Sequence, residues 1–129
     1  MAIPGVYTLI SETITTAITA QAFTAITNLD GMTRATFEAT FAGTGGTTAV
    51  ALIQSRIGSA GTWREIASID FAAAGAKSCT VVSTAATPAA FATLSANSVL
   101  NWLGTELRAV VTTTGTWANG ALAVRVHVT

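Results

Sequence analysis

The chain is short of charge. Only 9% of its 129 residues are charged, six Lys or Arg against six Asp or Glu, so the formal net charge is zero. A neutral surface gives no electrostatic reason to bind nucleic acid or an anionic membrane. It also gives little repulsion between copies, and low net charge favours association. Cysteine is scarcer still. Cys79 stands alone, which rules out an internal disulfide and removes the usual support of small secreted scaffolds. Lysine and histidine each occur once, as Lys77 and His127. No run approaches the roughly eighteen apolar residues of a membrane-spanning helix. The start, "MAIPGVYTLI", lacks the basic opening and continuous apolar stretch of a signal peptide. Synthesis and folding in the cytoplasm are expected, with no membrane partner.

What is present is apolar and β-branched. Half the residues are hydrophobic, which argues against disorder, and the length fits one domain, residues 1–129, with one ordinary core. Ala and Thr dominate. Thr suits strands because its branched Cβ fits a pleated surface while its hydroxyl tolerates water. Outward threonines would keep so uncharged a domain soluble.

Val6 to Ile26 reads as two short strands or one long bent one, and "TNLDG" (Thr27 to Gly31) as a turn. In "MTRATFEATFA", Ala35, Phe37, Ala39 and Phe41 alternate with Arg34, Thr36, Glu38 and Thr40, the period of a half-buried strand. "GTGGTT" (Gly43 to Thr48) is expected to close a hairpin into "AVALIQSRI", and "GSAGT" to turn that strand into "WREIASIDFA". Together these predict a three-stranded antiparallel meander. A short strand follows at Cys79 to Val82. Ser83 to Thr105 loses the pattern and is expected to be a long packed loop, with a helical turn near Ser98 to Trp102. "ELRAVVTTTG" and "GALAVRVHVT" predict a last hairpin around "TWAN". The expectation is an all-β antiparallel sandwich, jelly-roll or Ig-like, with about seven or eight strands. Its core would hold Phe37, Phe41, Ile53, Ile69, Phe71, Val111 and Val124.

Catalytic chemistry finds little to stand on. Gly-Thr-Trp after a Ser-rich turn (Gly61 to Trp63) resembles part of the aspartate box of sugar-handling β proteins, but the position five before the Trp holds Gly58, not Asp. The carboxylate that would lock the turn is missing, so Trp63 is read as a core or interface aromatic. A second Gly-Thr-Trp at Gly115 to Trp117 is too short to establish duplication. The carboxylates Glu12, Asp30, Glu38, Glu65, Asp70 and Glu106 suggest turns and solvated strand partners. Glu65 falls in register with Trp63 and Ile69, which means either a bulge near the strand start, the preferred reading, or a buried acid. Glu106 and Arg108 look like an edge pair. One His and one distant Cys cannot build a metal site from a single chain, and Cys79 carries no nucleophile signature. No enzyme, cofactor or metal is expected. The basic residues are dispersed and not interleaved with aromatics, against a nucleic-acid platform. Sugar binding by Trp63, Trp102 and Trp117 stays open, because aromatic faces on loops suit pyranose rings, although two of the three are expected in the core.

"LDGMTRATFEATFAGTGGTTAVALIQSRIGSAGTWREIASIDFA" and the later "LGTELRAVVTTTGTWANGALAVRV" together resemble a group of small virion proteins of tailed phages, prophages and gene transfer agents of proteobacteria. The likeness rests on Leu29 to Gly31, Ala35 to Phe41, Gly43 to Gly46, Gly61 to Trp63, Leu103, Gly104, Leu107 and Arg108, and Gly115 to Thr116. It covers about three quarters of the chain, from Leu29 onward. Members often carry Asp in the turn before the Trp, where this chain has Gly58 and Ser59, which weakens a ligand or metal reading of that turn. The resemblance implies a β-sandwich structural component of the particle, folded in the host cytoplasm. Head decoration, with the major capsid protein as partner, is the expected role. A tail or baseplate protein bound to tail proteins or host glycans is the alternative. Partner contacts are expected from an extended N-terminal arm, residues 1–7, through Ile3, Pro4 and Tyr7. The long loop would add Pro88, Phe91 and Trp102, and the last turn Trp117. Exposed sheet edges would favour a homo-oligomer.

Overall fold

Period-two alternation carries most of the chain into strands, and the turns between them decide which sheet each strand joins. The computed structural model describes residues 4–84 and 88–129. Among these residues nine strands form: β1 (Gly5–Ile14), β2 (Ile18–Ala22), β3 (Arg34–Thr44), β4 (Thr48–Arg56), β5 (Arg64–Phe71), β6 (Gly75–Val82), β7 (Ser98–Val99), β8 (Glu106–Thr114) and β9 (Ala118–Val128). Sheet A has the order β1-β9-β3-β6 and sheet B the order β2-β8-β4-β5-β7. All their pairings are antiparallel. The protein is a β-sandwich.

The core lies between the sheets and contains the expected Phe37, Phe41, Ile53, Ile69, Phe71, Val111 and Val124, all buried. Phe37, Ile53 and Val124 are fully enclosed. Alternation sends one face of each strand into this layer: Ala35, Phe37, Ala39 and Phe41 from β3, and Leu122, Val124, Val126 and Val128 from β9. Small inward residues on β4 (Ala49, Ala51) leave room for the facing aromatics.

The predicted meander and last hairpin do not form. β3 and β4 lie in different sheets, as do β8 and β9. Gly43 to Thr48 and the Gly115 to Trp117 turn are therefore crossovers rather than hairpin loops. Gly43, Gly45 and Gly115 have positive φ, and their order of strand and turn is the same as a hairpin's, so periodicity alone cannot tell the two apart. β4 and β5 do pair directly. Trp117 explains the change of sheet. Its indole is 4% exposed and meets Phe41 edge to face at 4.7 Å. Gly46 lies so close beneath it that a Cβ there would fall 2.1 Å from the ring. Trp117 N donates to Thr15 O at 2.9 Å, which ties the β1–β2 crossover to the same spot.

Three further differences follow from pairing that sequence does not display. Gly5 to Tyr7 is no free arm: it pairs with Val126 to Val128 as the start of β1, while Ile3 lies outside the described residues. β6 begins at Gly75, earlier than the expected Cys79, because β3 offers it a full-length partner. The expected helical turn at 98–102 is instead β7, Ser98–Val99, paired with Ala67 and Ser68 of β5.

Lys77, the only lysine, protects an edge. It lies opposite Ala39 on the inward side of edge strand β6 and donates across to Asp70 O and Asn97 Oδ1. An inward charge on an edge strand discourages pairing with another chain.

Trp117→Ala is expected to cost about 3–5 kcal/mol. Gly46→Ala, which changes one methyl group, should cost about 1–3 kcal/mol by overpacking against the indole. Urea unfolding followed by intrinsic fluorescence measures both; a Gly46→Ala protein of undiminished stability would contradict the packing described.

Candidate functional site

Outward-facing residues of three neighbouring strands assemble the most chemically varied surface. Pairing puts Gln54 of β4 opposite Arg108 of β8 and Glu65 of β5, and Arg56 of β4 opposite Glu106. Trp63, just before β5, completes the group. The Arg56 and Arg108 guanidinium carbons lie 4.3 and 4.4 Å from its ring centroid. Each such contact stabilises by about 0.5–2 kcal/mol, more as water is excluded. Arg56 also pairs with Glu106, Nη2 to Oε1 at 2.9 Å, and Arg108 Nε donates to Gln54 Oε1 at 2.7 Å. Burial, and then the neighbouring Arg56 charge, pull the Arg108 pKa below its ordinary value. Two like charges thus share one indole, and Glu106 balances only one of them.

Glu65 reaches this face because of a bulge, as expected. The β4–β5 register shifts between Ile53 and Gln54, so that Ile53 pairs with Ala67 while Gln54 pairs with Glu65. Ile66 is the extra residue, and it is fully buried beside Ala67. Beyond the bulge the facing of the strand is reversed. Without it Trp63 and Glu65 would point into the core.

A strap, residues 88–102, covers the β5 side of sheet B. Glu65 Oε1 accepts from Leu94 N at 2.9 Å, Asp70 Oδ1 from Asn97 N at 3.2 Å, and Ile66 O from Leu100 N at 2.8 Å. Beneath it Arg64 is 9% exposed, with its guanidinium 4.9 Å from the Phe91 ring and 5.3 Å from Trp102. Its Nε has no hydrogen-bond partner among the described residues. A cleft of about 200 Å³ opens between strap and sheet, lined by Gln54, Trp63, Arg64, Glu65, Phe91, Ala92 and Thr93.

Of the residues expected to contact partners, Phe91 and Trp102 come together here, their centroids 6.4 Å apart, and exposed Pro88 lies three residues before Phe91. Pro4 is exposed and Tyr7 half-buried, both on the β1 side of sheet A. Trp117 is enclosed in the core and offers no surface. Two of the three tryptophans do pack with the core, Trp117 within it and Trp102 against it. The two Gly-Thr-Trp copies therefore have unrelated surroundings. In the first, Gly58 N donates to Thr105 Oγ1 at 2.8 Å and Gly61 N to Gly58 O at 3.1 Å. A threonine from another segment fastens the turn where an aspartate box would use its own carboxylate.

Glu106 corrects another expectation. It lies on β8, an interior strand, is 6% exposed, and pairs with Arg56 rather than Arg108. Sequence reasoning missed the Trp63, Arg56 and Arg108 group. Its only signal was outward alternation of charged and amide residues on three strands, which becomes a cluster once the β5-β4-β8 order is known.

A larger groove, about 460 Å³, lies at the mouth between β6 and β7 and includes Lys77, Cys79, Asn97 and Val99. Burial pushes the Cys79 thiol above its ordinary range. Among the described residues no three His, Cys, Asp or Glu side chains converge as metal ligands, and no helix is long and apolar enough to cross a membrane.

No protein-family model, curated protein or solved structure matches the chain.

Trp63→Ala should keep the fold, with a loss of only about 1–2 kcal/mol, in contrast to Trp117→Ala; thermal unfolding of the two variants separates them. For Cys79, the unfolded chain releases the thiol proton at lower pH than the folded one. The thiol's contribution to stability is present below the ordinary thiol range and falls as pH rises through it. Alkylation by iodoacetamide at neutral pH should be slower in the native protein than in urea, and equal rates would refute the shielding.

Proposed function

We propose that the protein is a non-enzymatic structural component of a tailed-phage virion, a head decoration protein that binds the major capsid protein. The observation that carries this reading is the composition of the outer face and strap of sheet B. Phe91, which lines the cleft with Trp63, and Ile57, next after Arg56, are 50 and 64% exposed, beside two stacked arginines. Exposed apolar side chains around Trp and Arg are what protein interfaces select. The neutral, threonine-rich remainder and the likeness to small virion proteins support the same role. A rigid sandwich suits repeated contacts on a lattice, and β1, the other edge strand of sheet A, suits association with sister copies.

A tail or baseplate protein that binds host glycans is the second reading, favoured by the cleft in which Trp63 stands beside Gln54 and Glu65. Immunogold labelling of intact source particles with antibody to this chain separates the two. Dense label over heads is the expected result; label confined to tails supports the second reading, and unlabelled particles refute both.

A further inference from the structure

We propose that the free edge of β1 pairs with the same edge of a second copy of this chain, antiparallel about a two-fold axis at Val6, so that two sheets A join into one continuous sheet. This deepens the reading above by naming a sister copy as one partner, and rests on that reading for the particle on which the copies meet.

Elimination of the other edges is the first argument. Each sheet ends in two edge strands, β1 and β6 in sheet A, β2 and β7 in sheet B. An edge displays a row of unpaired N–H and C=O groups, and the protein partner that matches such a row is another extended chain. β6 turns Lys77 inward and ties it to Asp70 and Asn97 across the mouth of the sandwich. β7 is only two residues long. β2 has five residues, a register shift between Ile18 and Gln21, and Ala20 at a φ of 43°, all of which break its line. β1 has ten residues and pairs on one side only, with β9.

Charge then selects a part of β1. The register shift between Thr8 and Ile10 divides the strand in two. Its second half carries Glu12, opposite buried Leu122 and so on the inward side. A two-fold axis there would set two like charges against each other, which destabilises a strand pair. The first half has no such obstacle. Pro4 to Ser11 carries no charged side chain, on a chain whose net charge is zero.

Facing fixes the register. Opposite residues of an antiparallel pair share a face. Val6 lies opposite His127 on the outer side, while Gly5 and Tyr7 lie opposite buried Val128 and Val126 on the inner side. A two-fold axis at Val6 respects this facing. It puts Val6 against Val6 of the second copy outside, and Gly5 against Tyr7 inside. A centre at Tyr7 would carry the ladder into the bulge and set Gly5 against Leu9. Val6 is 64% exposed, and a direct cross-strand pair of β-branched side chains removes apolar surface of both from water. Glu12 falls beyond the paired segment, Pro4 to Thr8.

The test uses the whole chain and needs no particle. A ladder this short makes a small interface, so sedimentation equilibrium should show a monomer–dimer equilibrium with a dissociation constant on the order of 10–100 µM. Val6→Lys should weaken it about tenfold or more by placing two cations opposite each other. Thr13→Lys, also outward on β1 but outside the paired segment, should leave it unchanged. Val6→Cys in a Cys79→Ser background should form a disulfide-linked dimer under mild oxidation, because directly opposed Cα atoms lie about 4.5–5.5 Å apart, within the range a disulfide spans. Thr8→Cys in the same background should not, since the two copies of that position would stand about 13 Å apart along the strands. A chain that stays monomeric at 0.5 mM, a dimer indifferent to Val6→Lys, or cross-linking through position 8 rather than position 6 overturns the assignment. Dimers together with unlabelled particles uphold the pairing while refuting the virion role; labelled heads with a monomeric chain do the reverse.

Discussion

The indole of Trp117 occupies the end of the sandwich at which the chain changes sheet between β1 and β2, β3 and β4, and β8 and β9. A buried aromatic contributes a large apolar area and a preferred edge-to-face geometry, and here Phe41 supplies the partner ring. Phe71 extends the group at 5.8 Å from Phe41. Glycines make the approach possible. A Cβ on Gly120 would lie 2.0 Å from Ile14 O, as one on Gly46 would meet the indole. With no disulfide available, this aromatic closure takes the place of a cross-link. The indole Nε1 has no hydrogen-bond partner among the described residues, a cost of about 1–3 kcal/mol that burial of the ring offsets.

The opposite end is built from different material. There the bulge at Ile66 reverses the facing of β5 and moves Trp63 from the inside to the outside. Gly104 packs against the backbone of Arg56, where a Cβ would fall 2.2 Å from the Arg56 oxygen. Ser55, fully buried, donates to Glu106 O at 2.7 Å and accepts from Gly104 N at 2.9 Å. These contacts fix the strand ends from which Arg56 and Glu106 project. The charged face is therefore positioned by backbone packing rather than by its own ion pair, whose partly exposed geometry is worth little alone.

Strand positions and the core were legible from alternation, because a side chain's facing is written in period two. Phe37, Ile53 and Val124 could be placed inside without knowing their neighbours. The bulge was the preferred of two readings of Glu65, since an acid in register with Ile69 is either displaced by a register change or buried, and the shift between Ile53 and Gln54 decides for the first. Sheet membership was not. Gly43 to Thr48 serves equally well as a hairpin loop or a crossover, and the choice depends on Trp117, about seventy residues further on. The cluster at Trp63 was hidden for the same reason: Arg108 and Arg56 are far apart in the chain and become neighbours only through β8–β4 pairing. Cys79 and Lys77 read as isolated residues until β6 was seen to start at Gly75.

The order of sheet A also sets an order in time. β9 lies between β1 and β3, so the strand that joins them is made after both. On the ribosome, at roughly 5–20 residues per second, β1 and β3 emerge seconds before the partner that will separate and pair them. Sheet B is less constrained, since β4 and β5 form a hairpin as soon as both are out. Non-local pairing of this kind slows folding, and a nascent chain in which β1 is unpaired and β3 is paired on one side only, with β6, is exposed to its neighbours on the same message. The slower synthesis runs, the longer those strand edges stay open, which makes translation rate part of how this sandwich is obtained.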